Sequence, residues 1–364
     1  MGESMKVGII GLGKISGQYL ATLSSRDDVE IVAVADLDAV RAEEVAARTG
    51  ATALSVDGLI AADGIDAVLN LTVPEAHADI CARAIAAGKH VFVEKPLALT
   101  VADGAELVRS AEAAGVLLGC APDTVLGSGV QSARAAIDRG DIGTPVAASA
   151  VWAAPGHELW HPSPAFYYQS GAGPLFDMGP YYLTALVSIL GPVARVFGHT
   201  SRSERERMVA TGPHAGRAVP VGVDTHVTAV LEHASGVVST VTMSFEVWAT
   251  RMAGIEVYGT SGTVAVPDPN RFFDAVEIFT AESGEWASLD HCAGHREGGR
   301  GLGLIDMGEA LREGREHRVS GELALHVLEI MESILEAGRG RRVVELTTTT
   351  RRPDPIPHLP PPRT

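Results

Sequence analysis

Three groups of residues in this chain of 364 have types and spacings that could do chemistry. The first is Gly11-Leu12-Gly13-Lys14-Ile15-Ser16. Gly11 permits a tight turn, Gly13 lets the backbone approach a pyrophosphate, and Ser16 is small enough for a helix to pack on a strand. A helix opening there presents unpaired N–H groups to phosphate. Asp36 stands twenty-five positions after Gly11, where a carboxylate binds ribose hydroxyls and repels a 2′-phosphate, although Arg41 is close by. This pattern predicts NAD rather than NADP.

The second group is Glu94-Lys95-Pro96. A lysine at a strand end can hydrogen-bond an oxygen that is alcohol on one side of a reaction and carbonyl on the other. Pro96 restricts Lys95 to extended backbone. Lysine occurs only at positions 6, 14, 89 and 95, and arginine fills the other 25 basic positions. A lysine kept where arginine is the rule suggests a group that must be able to lose its proton.

The third group is Asp177 and Tyr181, spaced i, i+4 so that both project from one helix face. Asp177 can accept a substrate hydroxyl. A tyrosine pKa of about 10 is too high for work at neutral pH, and a neighbouring ammonium such as that of Lys95 would lower it. Tyr182 reads as a core residue with its hydroxyl satisfied. Upstream, Trp152, Trp160, His161 and Tyr168 crowd an irregular stretch. Aromatic faces there suit the C–H face of a sugar ring, so His157, Trp160, His161 and Tyr168 are pocket candidates. His157-Glu158-Leu159-Trp160-His161 also spells the zinc-hydrolase pattern HExxH, which requires a helix. Pro155, Gly156, Pro162 and Pro164 flank it, so no catalytic zinc is expected.

The elements that must position these groups are legible. Apolar runs at Met5–Ile10, Val29–Ala35, Ala67–Leu71, Val91–Val93 and Leu117–Ala121, with a weaker one at Ala53–Leu54, alternate with helical patterns that stop at Gly50, Gly88 and Gly115. Such alternation requires a doubly wound parallel sheet with helices on both faces. After Pro122 the texture becomes α+β. Helices are expected near 127–139, 176–190 and 323–336. Strands are expected at 146–153, 193–199, 226–232, 237–245 and 255–259, in a largely antiparallel open sheet. The expected division is a dinucleotide-binding domain at 1–122, a substrate-binding and oligomerisation domain at 123–350 and a proline-rich tail at 351–364.

Hydrophobic residues make up 46% and charged residues 20%, enough apolar material for a sizeable core. The net charge of −16 argues against nucleic acid and anionic membrane as partners. No apolar run reaches the roughly 18 residues of a membrane span, and the N-terminal residues do not form a signal peptide. Three widely spaced cysteines fit a reducing compartment, so a cytoplasmic location is expected.

The glycine loop, Thr72-Val73-Pro74-Glu75-Ala76-His77, Glu94-Lys95-Pro96 and Asp177-Met178-Gly179-Pro180-Tyr181 together resemble the glucose–fructose oxidoreductase/inositol dehydrogenase (Gfo/Idh/MocA) family. The resemblance runs to about Thr350. It implies a Rossmann domain, a C-terminal domain whose sheet forms a homodimer or homotetramer, and nicotinamide-linked interconversion of a secondary alcohol and ketone on a sugar, glycoside or polyol. Many members carry histidine four positions after the aspartate; Tyr181 places this chain with the tyrosine-type branch. By resemblance the catalytic residues are Lys95, Tyr181 and Asp177. Cofactor contacts are expected from Gly11, Leu12, Gly13, Lys14, Ile15, Asp36, Thr72, Val73, His77, Glu94 and Lys95. Substrate contacts are expected from Lys95, Trp160, His161, Tyr168, Asp177 and Tyr181. The alternatives are an enzyme that retains its cofactor between two sugars, a redox-assisted glycoside-cleaving enzyme, an NAD-binding regulator and a zinc hydrolase through His157 and His161.

Overall fold

The computed structural model describes residues 4–252 and 254–356. The chain divides into two compact units, Met1–Gly127 with His295–Leu328, and Ser128–Gly294 with Glu329–Thr364. The first boundary lies near the expected one. Residues 295–328, within the span 123–350 expected for the second domain, fall in the first unit.

In the first unit the elements alternate: β1 (Met5–Ile10), α1 (Ser16–Leu23), β2 (Val29–Ala35), α2 (Ala39–Thr49), β3 (Thr52–Ala53), α3 (Val56–Ala61), β4 (Ala67–Asn70), α4 (Pro74–Ala86), β5 (His90–Val93), α5 (Val101–Ala114) and β6 (Leu118–Cys120). All six strands are parallel, in the order β3-β2-β1-β4-β5-β6. The order reverses between β1 and β4, which opens a crevice at the carboxyl ends of these strands. Helix starts follow local chemistry. The Asp38 side chain accepts the N–H groups of Val40 and Arg41 at the head of α2, and Thr100 accepts that of Asp103 at the head of α5. Gly50 and Gly115 close those helices in left-handed backbone. The sheet packs on helices through Ile10, Val68, Ile80, Val91, Val93 and Leu107, all buried.

The second unit starts with α6 (Ser128–Arg139), β7 (Pro145–Ala153), α7 (Gly173–Leu190) and β8 (Val193–Ser201). It continues with β9 (Glu206–Met208), β10 (Ala218–Pro220), β11 (His226–His233), β12 (Val238–Ser244), β13 (Gly254–Gly259), β14 (Gly262–Val266), β15 (Val276–Thr280) and β16 (Trp286–Leu289). Helix α8 (Leu302–Glu313) lies in the returning segment. Helix α9 (Gly321–Gly340) crosses the second boundary, and β17 (Val343–Glu345) completes a nine-stranded sheet in the order β16-β15-β14-β13-β7-β12-β11-β8-β17. Among the described residues of this sheet, only β7 and β12 pair in parallel. The alternation is clear on β11, where Val227, Ala229 and Leu231 are buried while Thr228 and Val230 are exposed. Helix α7 packs on β11 and β12, and α6 on β14 and β15.

Strands β14 to β16 and helix α8 add to the expected elements. The returning segment is tied to β6, because Cys120 N–H donates to Val319 O at 3.0 Å and His317 Nε2 lies 3.0 Å from Leu118 O. Residues 351–356 have no regular secondary structure but lie on the second unit. Arg352 Nε donates to Ser188 O at 3.0 Å and Ile356 N–H to Gln131 Oε1 at 3.1 Å. The rest of the expected tail, 357–364, lies outside the described residues.

Candidate active site

In the first unit the candidate residues gather at the carboxyl ends of β1, β2, β4 and β5. Gly11 follows β1 at φ +92°, and its N–H donates to Ala35 O at the end of β2 at 2.9 Å. A Cβ at Gly11 would stand 2.7 Å from the Leu71 carbonyl, closer than any side-chain carbon tolerates, so the turn requires glycine. At Gly13 a Cβ would meet nothing within 4 Å, so that backbone is open to an incoming group. Ser16 is buried and its Oγ donates to Gly13 O at 2.7 Å, which ties the loop to the head of α1. Helix α1 has no side-chain cap and no acidic residue in its first turn. Ser16 N–H and Gln18 N–H turn back onto Gly13 O at 3.1 Å and Ile15 O at 3.0 Å, so what the head of α1 offers an anion is the positive end of the helix dipole with no side chain in front of it.

Asp36 lies one residue beyond β2. Its Oδ2 accepts Leu12 N–H at 2.7 Å, and its Oδ1 accepts Asp38 N–H at 2.8 Å and Arg41 Nη1 at 3.2 Å. Burial works against its charge. The two backbone N–H groups and the Arg41 guanidinium outweigh burial and hold the carboxyl below its usual range. One carboxylate thus braces the glycine loop and sets the negative charge at the end of β2. An open glycine, an uncapped helix and an anchored carboxylate fit a dinucleotide: phosphates at Gly13 and the head of α1, ribose hydroxyls at Asp36.

The turn after β4 is built around Asn70, which is fully buried. Its Oδ1 accepts Thr72 N–H at 3.2 Å and Thr72 Oγ1 at 2.7 Å, and its Nδ2 donates to His77 O at 3.3 Å. Thr72, whose backbone nitrogen lies beside Gly11, is half-buried, and Val73 is exposed. His77 requires a correction. It is fully buried, with Nδ1 2.7 Å from Pro96 O and Nε2 3.2 Å from Thr72 O, so it presents no atom to a cofactor. Burial pushes its pKa down. The ring lies between the carbonyl oxygens of the β4–α4 turn and of Pro96, both of which only accept, so whichever ring nitrogen carries a proton donates to one of them. Glu94, also expected at the cofactor, has its carboxylate engaged within the protein. It is buried, accepting Tyr19 Oη at 2.8 Å and Lys95 N–H at 2.9 Å. Lys95 is half-buried two residues past β5, and its peptide bond to Pro96 is cis.

In the second unit Asp177 and Tyr181 stand one turn apart on α7, which begins three residues earlier than expected, with Pro174 in its first turn. Pro180 lies between them and supplies no N–H to the helical ladder. Asp177 is partly exposed, and its Oδ2 lies 2.8 Å from His157 Nε2. Tyr181 is buried. Tyr167, absent from the expected site, is half-buried. Burial, with Asp177 and Tyr181 nearby, pushes its pKa up to about 12. Rings surround His157: Tyr167 at 4.2 Å, Phe245 at 4.6 Å and Trp160 at 5.1 Å between centroids. Trp160 keeps 57% of its surface exposed and His161 is half-buried, with its Nδ1 accepting Ser163 N–H at 3.1 Å.

Tyr168 is the other correction. It is fully buried, and its Oη donates to Glu158 and accepts His157 N–H at 3.2 Å. It packs with Val209, Val219, Val221 and Phe245, so its side chain belongs to the core of this unit and leaves no surface open. Glu158 is buried and pairs with Arg207 at 2.9 Å, which reaches Glu246 at 2.8 Å. The HExxH residues form a single 3-10 turn, His157–Leu159, not the helix that would set both histidines on one face. Among the described residues no cluster of three or more potential metal ligands occurs, and no helix is long and apolar enough to cross a membrane.

A glycine-loop Rossmann unit with a lysine beyond β5, joined to an α+β unit carrying a carboxylate–tyrosine pair, defines an NAD-linked oxidoreductase architecture. Comparison with known proteins agrees. The model described as "Oxidoreductase family, NAD-binding Rossmann fold" matches residues 5–121, and the "GFO/IDH/MocA C-terminal domain" model matches 130–265. The chain belongs to the Gfo/Idh/MocA family and is an NAD-dependent dehydrogenase or reductase. It is 30% identical to the 1,5-anhydro-D-fructose reductase of Ensifer adhaerens over 71% of this chain and 74% of that one. It is 26% identical to the myo-inositol 2-dehydrogenase of Thermotoga maritima over 78% and 80%. Levoglucosan dehydrogenase, solved with NADH and L-sorbose, superposes with a TM-score of 0.80 at 20% identity, covering 95% of this chain and all of that one.

Proposed function

We propose that the protein interconverts a secondary alcohol and a ketone on a sugar, glycoside or polyol. The carrying observation is the arrangement on α7. Asp177 and Tyr181 lie one turn apart, with the aromatic group of His157, Trp160 and Tyr167 beside Asp177. A carboxylate accepts sugar hydroxyls, and aromatic faces take the C–H face of the ring. The relatives named for anhydrofructose, inositol and levoglucosan support the same substrate class.

When bound, NAD supplies the hydride acceptor and donor. The chain supplies position and proton. Lys95 and Tyr181 act as one acid–base unit: the Lys95 ammonium orients and polarises the reacting oxygen, and the Tyr181 hydroxyl exchanges its proton. Asp177 accepts a neighbouring hydroxyl and sets which carbon faces the nicotinamide. Trp160 and His161 border the sugar. Gly11 to Ile15, Asp36, Thr72 and Val73 hold the dinucleotide, with Lys95 at its nicotinamide end.

The test is a panel of 1,5-anhydro-D-fructose, myo-inositol, levoglucosan and common aldoses, assayed for NADH formation or consumption after the purified protein is checked for retained cofactor. Turnover of at least one sugar or polyol supports the reading. Binding of NAD with no turnover of any would replace it with a regulator.

A further inference from the structure

We propose that His157 is the positioning residue for Asp177, with its tautomer set by Trp160. The inference rests on the catalytic reading of Asp177 given above. Trp160 Nε1–H, which can only donate, lies 3.2 Å from His157 Nδ1. Nδ1 must therefore be the acceptor and carry no proton. The ring proton is left on Nε2, which lies 2.8 Å from Asp177 Oδ2 and donates to it. An imidazolium would place a second donor against the Trp160 N–H, so the neutral ring is the form this geometry holds.

The arrangement is more than a surface contact. His157 is only 6% exposed. Its backbone N–H is fixed on Tyr168 Oη, which is itself bound to the Glu158 carboxylate. Trp152, Tyr167 and Phe245 bound the ring on its other sides. Gly156, at φ +116°, permits the backbone to enter this turn, and a Cβ there would strike Glu158. The ring therefore cannot rotate to offer its other nitrogen. Asp177 Oδ2 is committed to His157, and this commitment fixes the angle at which the carboxylate meets a substrate hydroxyl. Positioning groups that hold a reacting geometry in this way act on the chemical step.

Histidine ring 15N NMR on the NAD-saturated protein reads the tautomer directly. One histidine, missing from the spectrum of His157→Gln, should show a pyrrole-type Nε2 and a pyridine-type Nδ1. Asp177→Asn should move its Nε2 resonance, and Trp160→Phe should move its Nδ1 resonance. A protonated Nδ1 overturns the proposal. The kinetic arm uses the best-used compound of the sugar panel. His157→Phe keeps a ring in the aromatic cage and should lower kcat roughly 10–100-fold, the size of one hydrogen bond to a charged group, with NAD affinity unchanged. His157→Gln, which restores an N–H donor, should recover most of the loss, and in an Asp177→Asn background His157→Phe should add little. Full kcat in His157→Phe, with Asp177→Asn slow, overturns this inference and leaves the functional reading standing. Full kcat in Asp177→Asn, or no panel compound turned over, overturns that reading and the positioning role together; the ring shifts would then report a structural bond only.

Discussion

Replacing Asp36 by alanine should erode the preference for NAD over NADP, and the structure sets the size of the change. The carboxylate holds Leu12 N–H, Asp38 N–H and Arg41. On the proposed reading it also meets the ribose hydroxyls of NAD through charge-assisted hydrogen bonds worth about 1.5–3 kcal/mol. Losing these weakens NAD about 10–100-fold. For NADP the loss is offset. A carboxylate and a phosphate about 4 Å apart repel by about 1–4 kcal/mol per unit charge between water and a protein surface, and that repulsion disappears. Arg41, paired with Asp36 and Asp38 at 3.2 Å each, is half released to a 2′-phosphate. The two effects add in the ratio of affinities, so the NADP/NAD ratio of Kd should fall by about 100-fold or more. Titration with NADH and NADPH, followed by nicotinamide fluorescence, measures both constants without a substrate. Arg41→Ala is the control and should remove part of the NADPH gain. NADPH binding as tight as NADH in the wild type, or an unchanged ratio in Asp36→Ala, would refute the reasoning.

Asp123 is fully buried in the first unit, its Oδ2 accepting Gly301 N–H at 2.7 Å and Gly303 N–H at 3.0 Å at the head of α8. Burial raises its pKa from 3.8 to about 6, against the opposing pull of those N–H groups and Arg300. A raised folded pKa stabilises the fold below pH 4 and loses that contribution as pH rises through 6. The loss is about 3 kcal/mol, and Asp123→Asn should flatten that segment of a stability–pH curve from chemical denaturation; an unchanged slope would count against it. The uncovered face of the nine-stranded sheet carries exposed Phe197, Val230 and Val343 in one register row, with Val238 and Trp286 in another. We expect a homodimer or homotetramer built on this face. Light scattering should give at least twice the 38.0 kDa chain mass, and Phe197→Asp with Val230→Asp should give a monomer; a monomeric wild type would sink the idea.

The first unit was largely legible because its signals are local. Gly11 is dictated by one turn, Asp36 by the end of one strand, and Gly50 and Gly115 by helix stops. The α7 pair was legible for the same reason, since i, i+4 spacing survives any tertiary arrangement. What was not legible depended on side-chain partners that no local period announces. His77 and Tyr168 have side chains that serve equally well at a ligand or in a core. Only Pro96 and Thr72 around the one, and Glu158 around the other, decide the matter. The His157–Asp177 bond closes over twenty residues of mostly irregular chain with no period to read. Strand β14 is hard to read because five residues, half-buried on one face and buried on the other, carry little pattern, and the return of 295–328 is set by bonds to β6 that no local signal announces.

Lys95 and Tyr181 are proposed to work as one acid–base unit in hydride transfer. The most direct test is the pre-steady-state rate of NADH formation with the best-used panel sugar, for wild type, Tyr181→Phe, Lys95→Ala and the double variant, alongside the NADH Kd of each. Removing a positioned proton-transfer group costs about 10²–10⁴ in rate. Tyr181→Phe should fall by that amount with NADH affinity unchanged. Lys95→Ala should fall similarly with added loss of sugar binding, and the double variant should be little slower than the poorer single one. Near-full rate and an unchanged pH profile in Tyr181→Phe would contradict the account and make Tyr181 a packing residue of α7.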